Sequence, residues 1–258
     1  MNRTSQAFRA GKAFIPFIMG GDPDLGTTEK LLYTLCEAGA DAIEIGIPFS
    51  DPVAEGPVIE AAAARALGAG CTVVKLFELV SRVRAKIKVP LLFMTYYNPV
   101  FAYGVAKFAE HCADCGLDGL IVPDLPFEER DELLGPCKSH GIELISLIAP
   151  TSHTRAEKIA SGSSGFIYCV SSLGVTGERR EFDDNARCMA ENIKRVSDTP
   201  CAVGFGISTP EQARSMAQFS DGVIIGSAIV RLVAEYGCDC EGPVLQFAQS
   251  VKQAILDL

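Results

Sequence analysis

The sequence is short of positive charge, of histidine and of long apolar runs, and each shortage closes off a class of function. Lysine and arginine together number 23 against 32 acidic residues, a net charge of −9. Gripping nucleic acid by its phosphates needs a basic surface, so no nucleic-acid role is expected. No apolar run approaches the roughly 20 residues that span a bilayer. The opening stretch MNRTSQAFRAGKAF interleaves Arg and Lys with apolar residues and builds no signal-peptide core. No membrane association is expected, and the cytoplasm is the expected compartment. There are three histidines. His111 and His140 fall in expected helices or at their ends. His153 follows an expected strand but has no nucleophile beside it, so a Ser-His-Asp arrangement has no support. Ten cysteines are scattered along the chain, and neither HCADC (111–115) nor CDC (238–240) has the second ligand pair that a zinc site uses. Buried or half-buried thiols on a helix are the expectation, with no metal.

What the sequence does contain is a repeated pattern. Short apolar runs recur at 14–18, 42–46, 91–95, 119–122, 143–148, 165–170, 201–204 and 222–226. Near-continuous apolar strands suit a parallel sheet covered on both faces. Between them lie stretches such as 27–38 and 105–115, with apolar residues at three- and four-residue spacing. Gly39, Gly116 and Gly141 stand where helices should stop. Eight such units favour a closed (β/α)8 barrel over an open sheet, and about 250 residues is an ordinary length for one. Residues 2–11 have helical composition and are expected to add an N-terminal helix at the barrel bottom. No linker or low-complexity stretch divides the chain, so 1–258 is expected to be a single domain of the α/β, TIM-barrel class.

One acid disturbs the pattern. Glu44 sits between Ile43 and Ile45 in the second run. Side chains alternate along a strand, so if the isoleucines face the helices, Glu44 faces the barrel interior near the C-terminal end where such barrels work. Partial desolvation there raises a carboxyl pKa and lets it give as well as take a proton near neutrality. The alternative, a structural acid paired with a buried cation, finds no Arg or Lys in any of the eight runs. Glu55 lies in the Pro/Gly-rich loop that leaves the same strand; by position alone it is as readily a solvated turn residue as a second acid at the mouth. Late in the chain, SLGVTG (172–177), GFGIS (204–208) and IGSA (225–228) follow the last three strands. Glycines there let backbone N–H groups approach an anion, and Ser227 stands where a helix N-terminus could point at it. A phosphate site is expected.

The whole chain closely resembles the tryptophan synthase α-subunit family. The signature is IEIGIPFSDPVAEGP (43–57), supported by FIMGGD (17–22), MTYYNP (94–99), VPDLP (122–126), YCVSSLGVTG (168–177), GFGIS (204–208) and GSA (226–228). The resemblance implies cofactor-free retro-aldol cleavage of indole-3-glycerol phosphate to indole and glyceraldehyde 3-phosphate, in tryptophan biosynthesis. It makes Glu44 the proton donor to indole C3. It makes Glu55 the acceptor of the indole N–H, at a position that is ordinarily aspartate in the family. It places Phe17, Met94, Ile121, Tyr168 and Phe205 around the substrate, Gly177, Gly206, Gly226 and Ser227 at the phosphate, and Thr176 on a lid (173–180) that meets the loop acid. It implies a β-subunit partner that carries pyridoxal phosphate, an α2β2 complex, and Asp51, Asn98 and Pro99 toward that partner. The SDP and YNP motifs argue against another phosphate-binding barrel of the same pathway. The main alternative is an α-type subunit that binds ligand and activates its partner but cleaves weakly or not at all.

Overall fold

The structure, a computed structural model, describes residues 3–152, 155–170, 179–204, 206–256 and 258. Eight parallel strands close into a barrel in chain order. They are β1 (Ala13–Met19), β2 (Ile43–Gly46), β3 (Leu91–Met94), β4 (Gly119–Ile121), β5 (Glu143–Ile148), β6 (Ile167–Val170), β7 (Cys201–Gly204) and β8 (Gly222–Ile225). Each matches an expected run to within two residues at either end. Around them lie α1 (Arg3–Gln6), α2 (Leu25–Glu37), α3 (Pro57–Gly68), α4 (Val73–Arg84), α5 (Tyr97–Tyr103), α6 (Val105–Asp114), α7 (Asp131–Ser139), α8 (Arg155–Ser161), α9 (Arg179–Val196), α10 (Pro210–Ala217), α11 (Ser227–Tyr236) and α12 (Glu241–Leu256). Three strands are followed by two helices each, because β2, β3 and β8 lead into α3–α4, α5–α6 and α11–α12. Among the described residues no single helix is long and apolar enough to cross a membrane.

Helix ends follow local chemistry. Gly39, Gly116 and Gly141 all adopt positive φ, +88°, +84° and +73°, as a stop after a right-handed helix needs. The N-terminal helix is shorter than the expected 2–11. It ends at Gln6, and the chain then turns, with Gly11 at φ +132°, into β1. The segment still closes the barrel bottom. Thr4 is fully buried, Arg3 pairs with Asp118 just before β4, and Phe8 stacks on Phe166.

The register decides which side chains meet inside. Cα partners on neighbouring parallel strands send their side chains to the same face, and every second residue shares it. Phe17 pairs with Glu44 and Glu44 with Leu92, while Gly46 pairs with Met94 and Met94 with Ile121. A Cβ placed on Gly46 or Gly226 would run into the Phe17 ring, and one on Gly204 would lie 2.6 Å from the Tyr168 hydroxyl. Phe17, Glu44, Met94, Ile121, Tyr168 and Gly226 therefore share the inner face near the strand C-termini. The intervening Ile43, Ile45, Phe93 and Leu120 are fully buried on the opposite face, beneath the helices.

Candidate active site

Glu44 is the most heavily desolvated acid described. It is 0% exposed, and neither carboxyl oxygen has a hydrogen-bond partner among the described residues. Burial alone pushes its pKa up to about 8. An unpaired buried carboxyl holds its proton, because ionising it without a partner costs several kcal/mol. Among the described residues no cation contributes to its shift, so nothing described there supports the structural-pair alternative. Tyr168, also buried, has its phenol held well above its ordinary pKa, first by burial and then by the charge of Glu44. Its ring reaches the backbone of Gly204, where any side chain would collide.

Glu55 is positioned differently. The loop leaves β2 through Ile47–Pro48 and enters α3 with Gly56 as N-cap and Pro57 at the first helical position, a pairing that fixes the direction of the helix start. Glu55 is half-buried, and its pKa is raised to about 7, mainly by burial and then by Glu60 in the first turn of α3. A hydrogen bond from the Tyr96 hydroxyl pulls the other way. Neither acid owes its shift to the other. Its half-burial sets Glu55 apart from a turn carboxylate in open water.

Tyr96 is the residue the sequence reading did not single out. It follows β3 by two positions and is 3% exposed. Its hydroxyl accepts from the Ala54 N–H at 3.1 Å, on the backbone next to Glu55. Burial pushes its pKa up to about 12, so it remains a donor throughout the working pH range. The signal was in plain view, in the MTYYNP motif, but only the fold brings residue 96 against the loop of residue 55.

Of the glycine stretches, those after β7 and β8 lie at the C-terminal ends of their strands. Gly206 follows β7 with φ +78° and an exposed backbone. Gly226 caps α11, and Ser227 opens that ten-residue helix with its side chain exposed. Free N–H groups at a helix start, together with the helix dipole, form an anion seat. Thr176, Gly177 and Phe205, with most of the expected lid and His153, lie outside the described residues. Asp51 and Asn98 are exposed and Pro99 is half-buried, close to Val53 and Phe101, which are 77% and 61% exposed.

The remaining histidines and the cysteines stay away from this mouth. His111 lies in the helix layer, Nδ1 2.5 Å from the Tyr103 hydroxyl and edge-on to Phe77. His140 is exposed at the end of α7. Cys112 and Cys115 are buried thiols on and just after α6, their pKa values raised by burial. Among the described residues no group of three or more His, Cys, Asp or Glu is placed to hold a metal ion.

Comparison with known proteins agrees with this geometry. The sequence profile of the family described as "Tryptophan synthase alpha chain" matches residues 4–255. A tryptophan synthase alpha chain from Lacticaseibacillus casei is 48% identical over 255 residues, covering 99% of this chain and 96% of that one. One from Halalkalibacterium halodurans is also 48% identical, over 94% of this chain and 92% of its own. The crystal structure of tryptophan synthase subunit alpha from Legionella pneumophila superimposes with a TM-score of 0.91 at 35% identity, covering 100% of both chains. A chain from the tryptophan synthase complex of Pyrococcus furiosus gives 0.87 at 33% identity, over 94% of this chain and 98% of that one. With a matching profile over nearly its full length and relatives near one-half identity, the chain belongs to the tryptophan synthase alpha chain family.

Proposed function

We propose that the chain is the lyase subunit of tryptophan synthase, cleaving indole-3-glycerol phosphate to indole and glyceraldehyde 3-phosphate. The observation that carries this reading is Glu44: a fully buried carboxyl with no hydrogen-bond partner among the described residues, its pKa raised by burial to about 8, on the inner face at the barrel mouth. Such a group serves no packing purpose that a glutamine or leucine would not serve better. It suits a reaction that needs an acid and, moments later, a base.

The steps follow from the two acids. Glu44 gives its proton to indole C3, while the ring nitrogen's N–H is held and taken by the Glu55 carboxylate. Glu44, now ionised, removes the proton of the side-chain hydroxyl. The C–C bond to C3 then breaks, the hydroxyl carbon becomes the aldehyde, and the electron pair returns to the ring as N1 recovers its proton from Glu55. Both carboxyls end as they began, and protons alone are exchanged. Phe17, Met94, Ile121 and Tyr168 supply an apolar surround for the ring, with Phe205 assigned there by resemblance. Gly206, Gly226 and Ser227 seat the phosphate, joined by Gly177. Thr176 meets Glu55 when the lid closes.

Glutamate in place of aspartate lengthens the loop acid by one methylene. A misplacement of about 1 Å can cost on the order of a hundredfold in rate. The bond from the Ala54 N–H to the Tyr96 hydroxyl supports Glu55 as a competent base, since it ties the backbone beside the longer side chain to a buried ring. The partner in this proposal is the β subunit, which carries the pyridoxal phosphate, in an α2β2 complex. Asp51, Asn98 and Pro99, with the exposed apolar Val53 and Phe101 beside them, suit such a contact. The test is indole release by the purified chain, alone and with a β subunit. Glu44→Gln is expected to abolish it while the fold and phosphate binding persist. A folded Glu44→Gln chain that keeps most of the activity refutes the assignment.

A further inference from the structure

A half-buried ion pair lies outside the groups assigned above. Asp22, three residues beyond β1, is 2% exposed, and Arg65 in α3 grips it with two parallel bonds. Nε meets Oδ1 at 2.8 Å and Nη2 meets Oδ2 at 2.8 Å. Fork-to-fork geometry of this kind fixes direction as well as distance. Both ends connect to the two catalytic acids. On the Asp22 side, the Gly20 N–H donates to the carbonyl of Gly46 at 2.9 Å, two residues beyond Glu44. On the other side, Arg65 belongs to the helix that begins two residues after Glu55.

The helix needs such a fastening. Its buried face consists of Ile59, Ala62, Ala63 and Ala66. Ridges of alanine interlock weakly, so apolar packing holds α3 against the barrel without fixing its position along its own axis. The packing is also close, since a Cβ on Gly21 would meet Cys71 at 2.6 Å and Ala66 at 3.5 Å. A smooth, tight contact allows sliding in a way that a knobbed one does not. The bidentate pair blocks that slide, and a helix transmits any displacement at Arg65 to its N-terminus.

We propose that Asp22 and Arg65 form a positioning pair for the lyase reaction, setting the axial place of α3 and with it the reach of the Glu55 carboxylate. This rests on the function proposed above. A pair with its arginine partly in solvent contributes little net stability, but its forked geometry can specify one arrangement among near-equals. Here it would specify the geometry that a loop acid one methylene longer than usual requires.

Steady-state cleavage of indole-3-glycerol phosphate by the full chain tests the proposal, with Arg65→Lys, Asp22→Asn/Arg65→Gln and Glu55→Gln measured side by side. Lys keeps the charge but cannot fork, and the double variant removes both charges so that none is left buried alone. Both are expected to fold, to keep KM within about twofold, and to lose about tenfold or more in kcat. Glu60 from α3 and Tyr96 from beyond β3 are the titratable groups that bear on Glu55. A loosened α3 admits water to Glu55, so the acid limb of the pH–kcat profile should move down by at least half a pH unit. A purely structural role lowers the folded fraction and leaves that limb in place. Unchanged kcat and an unmoved limb in either folded variant, with Glu55→Gln inactive, overturn the proposal. A fully active Glu55→Gln chain overturns instead the reading on which it rests.

Discussion

Replacing Glu44 by glutamine should make the protein more stable and less active, and the gain should grow with pH. Unfolded, the carboxyl titrates near its ordinary 4.5; folded, burial moves it to about 8. Between these values the native state holds a proton that the unfolded chain has released. Stability from this group is fully present below pH 4.5 and is lost as pH rises through 8. At about 1.4 kcal/mol for each pH unit, the full loss is about 5 kcal/mol, and about 3 kcal/mol of it has gone by pH 7. Glutamine is nearly isosteric, stays neutral, and leaves its amide as unpartnered as the protonated acid. The two proteins should therefore have similar stability at pH 5 and diverge above it. Urea unfolding of both at pH 5, 6, 7 and 8.5 measures the difference, which cancels every other titrating group common to them. A difference that stays flat across this range would falsify the claim that Glu44 is held protonated in the folded chain. Such a result would mean that water or a cation reaches the carboxyl inside the barrel.

Other outcomes follow from the same geometry. Tyr96→Phe removes the acceptor of the Ala54 N–H, a neutral bond worth about 0.5–1.5 kcal/mol, and should lower kcat about twofold to tenfold in the indole-release assay. Glu55→Ala should be inactive, whereas Glu55→Asp, returning to the residue usual in the family, should keep substantial activity; an active Ala variant would return Glu55 to the turn. The base must be ionised above about 7 and the acid protonated below about 8, so kcat should peak between them and fall on both sides. Inorganic phosphate should raise Tm with concentration, and Gly206→Val, unfavourable at φ +78° and obstructing the backbone approach, should diminish that rise.

The barrel was legible because its signals are local and repeated. Eight apolar runs, each answered by a helical period and three of them by a glycine stop, admit few arrangements, and the closed order of strands is the simplest of these. Glu44 was legible for a related reason. Alternation along β2 makes the side of one residue a consequence of its neighbours, so a charge between two isoleucines had to face inward once the isoleucines faced outward. What could not be read were contacts between distant segments. Residues 2–11 look helical in composition, but the turn toward β1 is forced by where Thr4, Phe8 and Arg3 find partners, at residues 118 and 166 among others. Tyr96 has no periodic meaning in its own segment and acquires a role only when β3 lies beside β2 in the sheet.

The same distinction explains the treatment of the two acids by the fold. Glu44 is fixed by the strand that carries it, and its neighbours on the sheet, Phe17 and Leu92, need only leave it dry. Glu55 stands on a loop and so depends on what the loop is tied to. Tyr96 holds the loop from the barrel side through the Ala54 N–H, and in the proposal above Arg65 anchors the helix that follows. A change in length at a strand-borne acid would have to be absorbed by a rigid sheet, at the cost of a register or a packing defect. At a loop-borne acid it can be absorbed by a small shift of a smooth, alanine-faced helix, provided that something stops the shift at the right place. The longer loop acid is thus accommodated where the structure has a part free to move and a fork to hold it.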